Sequence, residues 1–418
     1  MTMRNHIIAL LLILFSAKAN YAQQPVVSQE NPMQISRRDC INLSIYDWPR
    51  TLLSYPVCFS ETIQSESELD LFDNKQGKSI PFQLSDKVID NGKLKSAVIN
   101  FFAELPSGGE FNYTLYVRKG NAPRLSSPVT LRKGVTAWQI SDGSFGVEIP
   151  AGGIYQNKII PAPIISILNN QQKIGDNKLH AGHHNVKEVK TSVLESGDLF
   201  VECGILYLLD NNSSYYAKIK IIQGYPFVIL DEQMENISKQ DEIFVDMEWS
   251  NFYPTRRYGN WDRQKEVSVD GGLPIDKPIY TNWSQEDPHW TGMGWIEKPT
   301  EQMLYRLLSF GGNSTREQIP AISFWETQNA ARELGVFVYD HNRWDDQQYG
   351  IWQPTPDLSV YFRYDNQKLH FKYPLHSGSR STAITLYTIE EKQGLVDKFN
   401  KCIDKIAMKG GADHSNEM

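Results

Sequence analysis

Apolar and polar positions alternate with a period of two along most of the chain. In EFNYTLYVR, residues 110 to 118, Phe111, Tyr113, Leu115 and Val117 fall on one face and Asn112, Thr114, Tyr116 and Arg118 on the other. That is the pattern of a half-buried strand. SFGVEIP, YYAKIKII, LGVFVYD and LSVYFRY repeat it. In VYFRYDNQKLHFKYP two such runs flank Asp365 and Asn366, which predicts a hairpin with a polar turn. The body is expected to be antiparallel β.

The alternation lapses over RKGNAPRLSSPVTLRKG, residues 118 to 134, where Pro, Ser, Gly and basic residues take over. This seam separates a β-domain of about a hundred residues from a longer β region that ends near Ile389. The longer region holds too many short strands for one open sheet, so a sandwich is the natural way to bury their inner faces. From Glu390 the period changes: Leu395, Phe399, Cys402 and Ile406 form a helical stripe with Lys and Asp between, ended by Gly410 and Gly411.

The first residues read as a processing signal. Arg4 supplies a basic start, Ile7 to Phe15 is an apolar run, and Asn20-Tyr21-Ala22 offers a small residue for cleavage, which predicts a mature start near Gln23. Nine apolar residues fall short of the roughly 20 that span a membrane, so no membrane span is expected and the product is secreted or periplasmic. Removing residues 1 to 22 takes away Arg4 and Lys18 and no acid, so 42 basic residues become 40 against 49 acidic ones. That balance argues against nucleic acid as a partner and requires any anionic ligand to be met by a local cationic cluster.

Four cysteines do not make a disulfide framework. Cys40 and Cys58 could close one bridge in an oxidising compartment, whereas Cys203, inside FVECGILYLL, reads as a buried and inert thiol. HAGHHN brings His180, His183 and His184 together, but no acidic or Cys ligand follows at a diagnostic spacing, so it reads as a polar loop with no metal. No motif calls for a cofactor.

Residues 57 to 116, VCFSETIQSESELDLFDNKQGKSIPFQLSDKVIDNGKLKSAVINFFAELPSGGEFNYTLY, carry V-x-F-S, then L-x-D-x-x-x-G-K-x-I-P-x-Q, then L-P-x-G with Tyr-x-Leu beyond. This run resembles the N-terminal β-domain of the exo-rhamnogalacturonan lyase family. WQISDGSFGVEIP is similar to the start of that family's central β-sandwich, and YPLHSGSRSTAITLY to the sandwich's last strand. Pattern and resemblance together predict a mainly β chain. A signal peptide over 1–22 precedes a small N-terminal β-barrel-like domain over 23–133. A large antiparallel β-sandwich follows over 134–390, and one amphipathic helix over 391–418. Family members continue into an α/α-barrel, so the helix is expected to pack on the sandwich, to be the opening helix of a barrel that is otherwise absent, or to dock a helical-domain partner. The resemblance implies breakdown of an acidic polysaccharide by β-elimination. Hydrolases that set a β-sandwich before an α/α-barrel are the rival enzymatic reading, and a carbohydrate-binding or interaction protein without catalysis is the other.

Eight of the ten Trp lie between residues 249 and 352, many beside Gly, Pro or charged residues. Sugar rings stack their C–H faces on such planes, while large rings also fill a wide core. Trp249 and Trp325 read as core; Trp261, Trp290, Trp295 and Trp344 read as exposed or cleft-lining. Elimination from a uronate needs a group to neutralise the carboxylate, a base for the adjacent proton and an acid for the leaving oxygen. YPTRRYGNWDR offers Arg256, Arg257 and Tyr258, EDPHWTGMGW offers His289, and HNRWDDQQYG offers His341, Asn342 and Arg343. The candidate catalytic set is His341, Arg343, Arg256, Tyr258 and His289; the candidate substrate-binding set is Trp261, Trp290, Trp295, Asn342, Trp344 and Arg257. The plainer reading of each segment is a solvated loop whose Arg and Asp pair with each other.

Overall fold

The computed structural model describes residues 26–29, 32–36, 50–63, 65–104, 112–118, 123, 125–155, 159–254, 256–259, 273–274, 303–308, 321–326, 332–339, 357–365 and 368–388. The expected export signal, the C-terminal helix and Cys40 lie outside the described residues. Among the described residues every regular element is a strand, apart from the short 3-10 turns Glu66–Glu68 and Lys239–Asp241. The chain divides into two compact units between Arg124 and Leu125, within the stretch where the alternation lapses. The strand Thr130–Lys133 pairs with Ala137–Ser141 and so belongs to the second unit.

The first unit is built from two four-stranded sheets. One orders Val26–Val27, Arg50–Ile63, Lys93–Glu104 and Phe82–Asp90; the other orders Met33–Ser36, Asn112–Val117, Leu69–Asp73 and Lys78–Ser79. Leu53, Val57, Leu84, Ile99 and Phe101 from the first share a core with Ile35, Leu71 and Leu115 from the second. Among the described residues neither sheet closes on itself, which corrects the barrel-like expectation. The reason lies at the edges: Val26–Val27 and Lys78–Ser79 are two residues each, too short to carry a hydrogen-bonded ladder around a barrel. One hairpin is written directly in the sequence. Asp90 pairs with Lys93, and between them Asn91 and Gly92 take φ of +50° and +75°, the left-handed pair that a tight two-residue turn demands.

The predicted face of Asn112–Val117 is only half right. Tyr113, Leu115 and Val117 are buried as expected, but Thr114 on the opposite face is buried too. Its hydroxyl accepts a hydrogen bond from the Asn74 side chain at 2.8 Å, so the strand has a polar neighbour where open solvent was expected.

The second unit carries three antiparallel sheets of five, six and nine strands. The nine-stranded sheet runs Val186–Ser196, Phe200–Leu209, Ser214–Ile222, Phe227–Glu235, Gly378–Thr388, Arg332–Val338, Ala321–Trp325, Arg256–Gly259 and Leu273–Pro274. Its first four strands are successive hairpins; the fifth, from the end of the described chain, inserts between Phe227–Glu235 and Arg332–Val338. Its inner residues, among them Ile205, Ala217, Ile219, Leu230, Val336 and Ile384, share one core with Val245, Met247, Trp249, Leu369 and Phe371 of the six-stranded sheet. The expected sandwich is therefore present. Trp249 is fully buried in it and meets Phe371 edge to face at 5.7 Å. Cys203 is buried in the same core, and that burial pushes its thiol up to about 12, far from a reactive thiolate. The hairpin predicted around Asp365 and Asn366 forms, with Asp365 paired to Lys368.

Candidate functional site

Three members of the predicted set lie within the described residues, on the next-to-last strand of the nine-stranded sheet. The strand Arg256–Gly259 contains Arg256, Arg257 and Tyr258 and pairs with Ala321–Trp325, Gly259 lying opposite Ile322. Ile322 in turn lies opposite Val336 of Arg332–Val338. Antiparallel pairing twice over makes the chain leave Gly259 and Val338 at the same end of the sheet. Two strand spacings separate the two points, about 10 Å. The segment bearing Trp261 follows the first exit, and the segment bearing His341, Asn342, Arg343 and Trp344 follows the second. Two stretches 80 residues apart in sequence thus share one root. His289, Trp261, Trp290, Trp295, His341, Asn342, Arg343 and Trp344 themselves lie outside the described residues.

The opposite end of Arg256–Gly259 is held by an ion pair that sequence reasoning did not single out. Glu326 and Arg332 close the hairpin between Ala321–Trp325 and Arg332–Val338, their side chains 3% and 9% exposed. Arg332 Nε donates to Glu326 Oε2 at 2.7 Å and Nη2 donates to Oε1 at 3.1 Å, a bidentate fork. The same Nη2 donates to the Asn251 carbonyl at 2.7 Å, and Nη1 donates to Gln172 Oε1 at 3.3 Å. Glu326 Oε1 also accepts the Tyr253 backbone N–H. Residues 251 and 253, just ahead of Arg256, are thereby tied to the hairpin, with the buried Phe252 ring 5.9 Å from the guanidinium. A buried charge pair is tolerated when its polar atoms are saturated in this way. A signal for it existed: Glu326 follows ISFW and Arg332 precedes ELGVFV, opposite charges at the two mouths of one candidate hairpin.

HAGHHN forms a strand end and loop, and its histidines face acids. His184, 6% exposed, has Nδ1 2.6 Å from Asp210 Oδ1 and Nε2 3.4 Å from Asp241 Oδ2, so it joins the loop to two neighbouring turns. The Ser238 amide and His184 hold the Asp241 carboxyl below its ordinary range, against a smaller upward push from burial. His180 stacks on Phe244 at 4.5 Å, with Nε2 3.7 Å from Asp246. Among the described residues no group of three or more His, Cys, Asp or Glu is placed to hold a metal ion.

No family model and no curated protein matches the chain. Among solved structures it is similar to an alpha-mannosidase from Enterococcus faecalis V583, at 8% identity and a TM-score of 0.46, over 89% of this chain and 45% of that one. It is also similar to a protein in the glycosyl hydrolase family 38 from Enterococcus faecalis, at 8% identity and a TM-score of 0.47, over 89% of this chain and 46% of that one. The chain spans less than half the length of these two structures. At this likeness nothing of their chemistry carries over to particular residues.

Proposed function

We propose that the chain is the β portion of an exported carbohydrate-processing protein that grips an acidic glycan where the chain leaves Gly259 and Val338. The observation that carries the reading is the shared root of two Arg- and Trp-bearing segments at one end of the nine-stranded sheet. Arg256, Arg257, Arg343 and Asn342 suit a uronate carboxylate; Trp261, Trp290, Trp295 and Trp344 suit the sugar faces. In a β-elimination Tyr258, His341 and His289 are the groups able to move a proton at neutral pH, and the arginines would stabilise the charge that develops on the carboxylate. The resemblance of residues 57 to 116 to the exo-rhamnogalacturonan lyases favours elimination as the reaction and a helical domain, met through residues 391–418, as the partner.

The test is incubation of the full chain with rhamnogalacturonan and other uronate polymers, following both unsaturated-uronate absorbance and new reducing ends. Growth of the absorbance together with the ends supports the lyase. New ends alone support the hydrolase. Retention on the polymer without product reduces the chain to a binding module, and neither retention nor product removes the carbohydrate reading.

A further inference from the structure

Among the described side chains Tyr253 is the one Phe, Tyr or Trp that stands exposed, at 51%. It lies in YPTRRYG, three positions before Arg256. Its outward direction follows from the local chain. Residues 251 to 254 run exposed, buried, exposed, buried, and Phe252 lies wholly inside the core, so Tyr253 projects away from it as successive residues of an extended chain do. Pro254 disfavours the helical region for the residue before it, which favours an extended Tyr253. The mount of the ring is also fixed. Glu326 Oε1 accepts the Tyr253 N–H, Arg332 Nη2 donates to the Asn251 carbonyl at 2.7 Å, and Asn251 Nδ2 donates to the Lys173 carbonyl at 3.3 Å.

Such a ring adds little to the core, since much of its surface stays in water. What it offers is a flat apolar face whose backbone is ordered before any ligand arrives, and a Tyr has only two side-chain torsions left to fix. A face of that kind just ahead of two arginines matches a ligand that carries apolar ring faces and carboxylates on one chain. We propose, on the acidic-glycan reading, that Tyr253 is a further binding residue of that site and that its ring stacks on the C–H face of a sugar unit. Arg256 and Arg257, on the strand that follows, take the carboxylates.

Affinity electrophoresis of the full chain through gels containing rhamnogalacturonan or polygalacturonate tests the role of the ring. Tyr253→Ala should bind roughly 5- to 30-fold more weakly than wild type. Tyr253→Phe and Tyr253→Trp, which keep a plane, should stay near wild type, while Tyr253→Leu, apolar without a plane, should fall with Tyr253→Ala. All four keep the backbone N–H that Glu326 accepts, and unfolding midpoints close to the wild type's separate lost binding from a lost fold. Equal retardation of wild type and Tyr253→Ala, or full rescue by Tyr253→Leu, would overturn the stacking role and leave the arginine-based reading standing. A wild-type chain that neither polymer retards would remove that reading and the role of Tyr253 with it.

Discussion

Among the described residues two Glu–Arg pairs are buried in the second unit, and they differ in how their polar atoms are satisfied. Around Glu326 and Arg332 the guanidinium reaches both carboxylate oxygens, a side-chain amide oxygen and a backbone carbonyl, while the carboxylate takes a backbone N–H as well. Around Glu232 and Arg380 the guanidinium reaches one backbone carbonyl and leaves Nε and Nη2 without hydrogen bonds. The first pair lies where a strand must be held in place, just ahead of Arg256 and Arg257. The second lies between sheets whose apolar packing already fixes them. The two pairs thus differ in how completely their polar atoms are satisfied within the described residues.

The largest expected effect breaks the first pair. Arg332→Met leaves Glu326 buried and unpaired, a loss of roughly 3–5 kcal/mol, to be read from chemical denaturation. The sharper test replaces both partners. Tyr215→Phe with Glu232→Met and Arg380→Met should leave stability within about 1 kcal/mol of wild type, because the unpartnered Tyr215 hydroxyl is removed as well and only the Pro374 carbonyl loses a partner. Glu326→Met with Arg332→Met should remain destabilised by about 1–3 kcal/mol, because the Tyr253 N–H and Asn251 carbonyl lose their partners. Equal outcomes for these two combined variants would erase the distinction. Removing only a neighbour is milder: Tyr215→Phe deletes the hydroxyl on Glu232 and should cost about 1.5–3 kcal/mol.

The smallest effect is an acid one at His184, whose carboxylate partners lie nearer the surface than either pair. Asp241 titrates below its ordinary range in the folded chain. Its contribution is therefore present above the unfolded carboxylate pKa and lost as pH falls through the lower folded value. Asp241→Asn should lower neutral-pH stability modestly, by less than any variant above, and flatten the fall of stability over that acid window, so that the two chains converge in acid. An unaltered acid limb would show that the Asp241 contacts contribute nothing.

Much of the strand content was legible because it is local. The alternation in SFGVEIP, YYAKIKII and LSVYFRY became Phe145–Pro150, Ser214–Ile222 and Asp357–Asp365, and the apolar run holding Cys203 became a core strand. Trp249 was readable as core because DMEWSNF alternates around it. What the pattern did not carry was long-range register. Nothing in YPLHSGSRSTAITLY says that Arg380 will stand opposite Glu232, almost 150 residues earlier, because a strand's own alternation does not name its partner. The open edges of the first unit were missed for a related reason: alternation predicts a face to bury but not how many residues each edge strand will pair. At the candidate site, residue types pointed to the segments, while their shared root depended on two successive strand pairings that only the fold supplies.

The central claim is that the Arg-bearing strand Arg256–Gly259 serves an acidic glycan. Affinity electrophoresis of the full chain through gels containing a uronate polymer tests it most directly, comparing wild type with Arg256→Ala/Arg257→Ala and with Glu232→Met/Arg380→Met. The account predicts that wild type and the interior double variant are retarded alike, while the arginine double variant runs freely. Free migration of wild type, or equal retardation of the arginine variant, would contradict it.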